Sequence, residues 1–257
     1  MKYDWDKLLQ SILDVGEEMI VCGAEVSRVE DSIERMCESY GAPYERINVF
    51  IITSNIQVTL ETPDGRILTQ IRRLIRYGTN FDRLDYLNAL SRYICENQPD
   101  HEEIQQKLEE VMSRPEPGKF LKIFGAVVIA ASFTVFFGGN WLDCIAAGFV
   151  GLVIVLMELY FSRHESNQII YNFIVSFVSG LAALLLTKAG LGDQVDKIMI
   201  GGIMLLIPGI AMTNAIRDML IGDIMSGWLR LLSAVLIAGA IACGFALSII
   251  LIGGGSI

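Results

Sequence analysis

The chain has 257 residues, 53% of them hydrophobic and 19% charged, with a mean hydropathy of +0.48 and a net charge of −9. This is more apolar and less charged than an ordinary soluble chain, so a membrane protein is the first expectation; the acidic balance excludes a nucleic-acid binder, which would carry a basic stripe. Charge is also unevenly placed: residues 1–119 hold 14 Lys and Arg with 22 Asp and Glu, leaving 6 and 7 for residues 120–257.

The opening "MKYDWDKLLQSILDVGEEM" is charged and amphipathic, with neither the apolar core nor the cleavage site of a secretory signal, so the N-terminus is expected to stay in the cytoplasm. From Trp5, the residues Leu8, Leu9, Ile12, Val15, Met19 and Ile20 recur at helical spacing, and Gly23 ends that helix. A second helix follows through Val26, Val29, Ile33, Met36 and Tyr40, stopped by the sequence from Gly41 to Pro43. The texture then turns β-branched. Val49–Thr53 reads as a strand, and residues 55–73 read as a hairpin about Pro63-Asp64-Gly65. Leu84, Leu87, Leu90 and Ile94 mark a third helix, and "QPDHEE" starts a fourth that runs to about Ser113. Residues 1–113 are therefore expected to form a cytoplasmic α+β domain, with 114–119, "RPEPGK", as linker.

This half offers little chemistry of its own. It has one histidine, His101, in a Glu-rich helix start, and it lacks G-x-x-x-x-G-K-[ST], H-E-x-x-H and G-x-S-x-G, which argues against a nucleotide-driven pump or a hydrolase. Cys22, Cys37, Cys95, Cys144 and Cys243 are scattered and form no C-x-x-C, so they read as reduced packing residues, with no metal or cofactor expected. "GAEVSRVEDSIER" places Glu25, Arg28 and Asp31, and then Asp31 and Arg35, at spacings that form ion pairs along a helix. Solvated pairs are the plain reading; Glu25, Arg28 and Glu30 are also candidates for a ligand or gating contact.

The second half reads as an all-α bundle of five transmembrane helices at about 120–139, 141–161, 169–186, 198–221 and 230–253, each near the length that crosses a hydrocarbon core about 30 Å thick. With the N-terminus inside, Arg114, Lys119, Lys122, Arg163, Arg217 and Arg230 are cytoplasmic and only Lys188 and Lys197 are outside, which sets the C-terminus outside. Ala234, Ala238, Ala242 and Ala246 form a ridge of small side chains, and Gly148 and Gly151 sit mid-span, so close helix packing is expected. Asp143 and Glu158, near the two ends of the second span, are either solvated or line a pathway.

The fourth span is unlike the others. After Pro208-Gly209, a kink or break, it inserts Asn214, Arg217, Asp218 and Asp223. A charge at the centre of a lipid-facing helix costs about 2.5–3.5 kcal/mol, so these groups must face water, protein or a cavity. On a continuous helix Asn214, Arg217 and Asp218 share a face, while Gly222 and Gly227 make continuity past them doubtful and could put Asp223 in a separate segment. A broken span with polar residues beyond the break is how many secondary transporters build a site. The competing reading is an amphipathic cytoplasmic loop after Met212, but Met219, Leu220, Ile221, Ile224, Met225 and Trp228 keep the stretch apolar, which favours a helix that re-enters or continues.

"PGIAMTNAIRDMLIGDIMSGWLR" resembles the membrane motif of the threonine/serine exporter (ThrE-like) family, and "GAEVSRVEDSIERMCESYG" resembles its N-terminal signature. Family members come as one long chain or as two shorter ones, and this length is similar to the longer, YjjP-like partner of a split pair. The resemblance implies a cytoplasmic N-terminal domain, a membrane half in the inner membrane, and export of threonine and serine or of a dicarboxylate such as succinate. It also implies a smaller, YjjB-like membrane subunit. Carried over by motif position, the site candidates are Pro208, Gly209, Asn214, Asp218, Gly222, Asp223, Gly227 and Arg230.

Without a nucleotide motif, energy must come from a gradient, and an embedded carboxylate is a ready proton carrier. The expectation is a proton-coupled exporter in which Asp218 takes the proton, Asn214 binds polar substrate groups, Arg217 or Arg230 pairs with a carboxylate and Pro208-Gly209 hinges. A non-transporting membrane scaffold or sensor is the alternative; an enzyme is not expected, because no nucleophile and base pair is visible. Five spans are few for a closed pathway, so assembly into an oligomer is expected.

Overall fold

The computed structural model describes residues 3–52, 55–74, 78–115, 118–161 and 167–253. Thr53 of the expected first strand, Glu116 and Pro117 of the linker, and Arg163 of the charge bias lie outside them. The chain divides into two compact units: Met1–Arg114 together with Thr213–Arg230, and Pro115–Met212 together with Leu231–Ile257.

In the first unit, α1 (Trp5–Val21) begins at Asp4, whose side chain accepts the Lys7 N–H at 3.5 Å. Its apolar stripe, Leu8, Leu9, Ile12, Val15 and Met19, is buried against Val26, Val29, Ile33 and Met36 of α2 (Val26–Ser39). The two helices meet at Gly16, where an added Cβ would stand 2.8 Å from Ile33 Cδ1. Three antiparallel strands follow in the order β1 (Ile47–Ile52), β2 (Asn55–Glu61), β3 (Ile67–Arg73), with Val49 opposite Val58 and Leu60 opposite Leu68. Strand alternation sends Ile47, Ile51, Ile56, Val58 and Leu60 into the core. Arg72 ties β3 to α1 through Asp14 at 2.7 Å. Helices α3 (Phe81–Asn97) and α4 (His101–Met112) complete the core, each starting at a side-chain cap, Asn80 and Asp100.

The remaining helices are α5 (Lys119–Phe136), α6 (Trp141–Phe161), α7 (Gln168–Lys188), α8 (Val195–Leu206), α9 (Gly209–Ile221) and α10 (Ile224–Gly253). α5, α6, α7 and α10 are each long and apolar enough to cross a membrane; α8 and α9 pass the same test only as a pair bent by 55° at Ile207-Pro208. The bend sits where proline removes a backbone donor, as the sequence indicated. α10 starts at Ile224 rather than near Arg230: Met225 and Leu229 are good helix formers, and Gly227 stays within the helix, packed against Ala215 and Met219.

Close packing in the second unit runs through small residues, only partly those expected. Gly151 of α6 lies against the Ala126 carbonyl of α5, and Gly201 of α8 lies against the Ala130 carbonyl. On α10 the face that packs carries Ala234, Ile237, Ile241, Phe245 and Ser248, with Gly244 against the Phe173 carbonyl of α7. Ala242 and Ala246 of the expected ridge are exposed. The contact follows the other helical face, where glycine brings backbones closer than alanine can.

Candidate functional site

The polar stretch after Pro208-Gly209 gathers on the first unit. α9 ends at Gly222, whose φ of 117° is open to glycine alone without strain, and the turn sends α10 back along α9. Gly227 is not a second break. It lies inside α10, where an added Cβ would stand 2.6 Å from the Ala215 carbonyl and 2.9 Å from the Met219 nitrogen. The two glycines thus have different jobs: one makes the turn, the other lets the returning helix touch α9.

That return brings Arg230 to Asp218, with Nη1 3.2 Å from Oδ2. Asp218 is 1% exposed, and neither of its oxygens has a hydrogen-bond donor among the described residues; the Arg230 contact is charge to charge, without hydrogen-bond alignment. Arg217, one residue earlier, points to another element and donates from Nη1 to Oε1 of Glu25, at the N-cap of α2. The second oxygen of Glu25 is buried and also lacks a donor. Asn214, Arg217 and Asp218 lie on one continuous helix, at the spacing that shares a face, but in different surroundings: Arg217 is exposed, Asp218 buried and Asn214 half-buried.

A third anchor was not foreseen. Ile51 faces Ile56 in the sheet, yet its own N–H is donated to Glu30 Oε1 of α2 at 3.1 Å, and its carbonyl accepts the Ser226 hydroxyl of α10 at 3.2 Å. Both groups belong to the open edge of β1, so an acid and a hydroxyl from different helices satisfy what a fourth strand would otherwise satisfy. Glu30 is half-buried, and its carboxyl is raised from 4.5 to about 7. Burial is the main cause; the Ile51 N–H opposes it, and the negative charges of Asp223, Glu34 and Asp218 add to it. Ser226 carried no sequence signal. Glu30 did, because it stands within the apolar stripe of Val26, Val29, Ile33 and Met36, where a carboxylate is out of place. Arg28, on the opposite side of α2, is exposed and makes no ion pair among the described residues, whereas Asp31 and Arg35 pair at 2.9 Å as their spacing required.

The two remaining candidates differ sharply. Asp143 of α6 is fully buried and accepts three backbone N–H groups, from Asn140 at 2.9 Å, Asp193 at 2.7 Å and Gln194 at 2.9 Å. Asn140 returns the bond to the Asp143 N–H at 2.9 Å, a reciprocal cap that also holds the loop ahead of α8. Glu158, near the other end of α6, is exposed. No cluster of three or more His, Cys, Asp or Glu able to hold a metal ion occurs among the described residues.

Several apolar helices of spanning length, joined to a small helical unit with a three-stranded sheet, define a multi-pass membrane protein. A family model described as "Putative threonine/serine exporter" (ThrE) matches residues 10–252, and the chain belongs to that family. It is 23% identical over 246 residues to the "Probable threonine/serine exporter" of Mycobacterium tuberculosis, covering 95% of this chain and 46% of that protein. With the "Threonine/serine exporter" of Corynebacterium glutamicum it shares 20% identity over 240 residues, 91% of this chain and 49% of the relative. The "Probable succinate transporter subunit YjjP" of Escherichia coli (strain K12) is 22% identical over 228 residues, 88% of each chain. The chain thus spans about half the length of the two exporters and most of the length of the subunit. No solved structure matches.

Proposed function

We propose that this chain is the longer subunit of a secondary transporter that exports small carboxylate-bearing metabolites, threonine and serine or a dicarboxylate, driven by protons and completed by a smaller membrane subunit. It sits in the cytoplasmic membrane with the N-terminal domain inside and the C-terminus outside. The observation that carries the reading is Asp218: a buried carboxylate facing Arg230 with no hydrogen-bond donor among the described residues. In that setting the charged form depends on guanidinium charge rather than on fixed donors, and a proton on Oδ1 or Oδ2 can take the place of that charge.

The coupling then follows from charge. With Asp218 ionised, Arg230 is held by it. When a proton neutralises Asp218, the ion pair dissolves and Arg230 is free to pair with a substrate carboxylate. Asn214, half-buried one turn before Asp218, offers an amide to the substrate's other polar groups, and Pro208-Gly209 lets α9 swing relative to α8. Arg217 and Glu25 hold α9 to α2 throughout. The family description and the names of the relatives support an exporter; the near-complete coverage of the YjjP chain, itself called a subunit, supports a second component.

Reconstitution tests this directly. Liposomes holding the chain together with a YjjB-like subunit are loaded with labelled threonine, serine or succinate, and release is followed under an imposed pH gradient. Release of one substrate class, with both chains present and the gradient set, is expected. The grouping of Thr213–Arg230 with the N-terminal unit favours a second reading, a scaffold or sensor in which this segment relays a signal. Absence of flux for all three substrates with both chains would favour that reading.

A further inference from the structure

Between Glu30 and the α9–α10 turn there is attraction through hydrogen bonds and repulsion through charge. Glu30 Oε1 accepts the Ile51 N–H, and Ser226, three residues into α10, donates to the Ile51 carbonyl, so one residue of β1 joins α2 to α10. The charges that act on Glu30 are all negative: Glu34 one turn along α2, Asp218 on α9 and Asp223 immediately before α10. Neither nearby cation is free to offset them, because Arg217 is held by Glu25 and Arg230 by Asp218. Five carboxylates, Glu25, Glu30, Glu34, Asp218 and Asp223, therefore share two guanidiniums, and the cluster in its fully ionised form carries three unbalanced negative charges.

A proton on Glu30 removes one of them where it does most harm. The neutral acid still offers its carbonyl oxygen to the Ile51 N–H, so the hydrogen bond survives while the repulsion toward Asp218 and Asp223 disappears. Ionisation keeps the bond but restores the repulsion, and that repulsion strains the Ser226 contact on the same residue. We infer that Glu30 is a positioning residue whose protonation fastens the α9–α10 turn to the open edge of β1. The turn is held firmly in acid and released as pH rises. This rests on the proposed role of the cluster as a protonatable centre and extends it: Asp218 exchanges the transported proton, while Glu30 reads the pH of the compartment it faces and sets how tightly the segment bearing Asp218 is docked.

The sign follows from linkage. The docked form holds a proton on Glu30 up to about pH 7, and release, by removing burial and the charges of Asp218 and Asp223, moves that value down toward the ordinary 4.5. Docking therefore weakens as pH rises through that interval, by up to roughly tenfold per pH unit, and is flat above it.

Amide hydrogen exchange on the full chain in lipid nanodiscs, corrected for the intrinsic pH dependence of exchange, tests the inference without requiring transport. Protection of peptides covering residues 47–52 and 213–230 is expected to fall between about pH 4.5 and 7 and then level off. Glu30→Gln keeps an acceptor for Ile51 but cannot ionise, so its protection should stay high and flat with pH. Ser226→Ala should lose protection at residues 213–230 at every pH. Wild-type protection that does not change with pH, or a Glu30→Gln variant that keeps the wild-type slope, overturns the inference. The expected exchange pattern in a protein that moves no substrate would leave this inference standing and sink the transport reading.

Discussion

Asp143 and Asp218 are both aspartates inside helices, and both are almost fully withdrawn from solvent, at 0% and 1% exposure. Asp143 accepts three backbone N–H groups; Asp218 accepts none among the described residues, and the cation paired with it is Arg230. A buried carboxylate surrounded by fixed donors has its charge solvated by the fold, so it works as a staple and gains nothing from a proton. One that faces only a movable guanidinium has two ways to be neutralised, and that choice is what coupling to protons needs. Burial alone does not mark a functional acid. The donors around it do.

The comparison can be broken from the Asp143 side first. Asp143→Ala would leave three N–H groups at Asn140, Asp193 and Gln194 without their acceptor, at about 1–3 kcal/mol each less whatever water recovers, so a loss of about 3 kcal/mol or more should appear as a large fall in thermal midpoint. Asp143→Asn, which keeps one acceptor, should lose less. Arg230→Met comes next. Removing one partner of a buried ion pair costs about 3–5 kcal/mol, and with Arg230 partly exposed about 2–3 kcal/mol is expected at neutral pH, shrinking in acid once Asp218 is neutralised by a proton instead. Equal destabilisation at both pH values would remove the distinction between the two aspartates.

Gly227→Leu tests whether α10 must touch α9. Its side chain would meet the Ala215 carbonyl and the Met219 backbone, which cannot yield cheaply, so about 1–3 kcal/mol is expected from overpacking, with exchange at residues 213–230 rising. The smallest effect should be Arg217→Ala. Its ion pair with Glu25 is exposed on the arginine side, at 56%, and such pairs are worth about 0–1 kcal/mol, so the melt should barely move while docking of α9 loosens. A loss comparable with that of Arg230→Met would mean that the Glu25 pair, not Asp218, carries the cluster.

Much of this arrangement was legible in the sequence. Helical spacing from Trp5 to Tyr40, the turn at Pro63-Asp64-Gly65 and the apolar stretches gave elements that the structure reproduces, because local periodicity and turn chemistry decide them. Pro208-Gly209 was readable as a bend for the same reason. What escaped was tertiary. Arg217 and Glu25 lie 192 residues apart, and no spacing rule connects them. Asp143 looked like a residue close enough to an interface to be solvated, since the N–H groups that enclose it come partly from a loop 50 residues away. Gly227 read as a break because glycine weakens isolated helices, whereas here the neighbouring helix needs the space. Arg230 was expected to pair with a carboxylate, but which one was not readable; the turn at Gly222, past which Asp223 begins the next segment, brings it back to Asp218.

The central claim is that Asp218 carries the coupling proton. Asp218→Asn is close in shape but leaves Arg230 without its partner, so the variant should fold and insert with a loss of about 2–3 kcal/mol, like that of Arg230→Met. Efflux of labelled substrate from liposomes containing both subunits, measured for parent and variant under the same pH gradient, decides the matter. The account predicts that the variant loses gradient-driven efflux while it still folds and inserts. Efflux at the parent rate from a folded Asp218→Asn protein would contradict it.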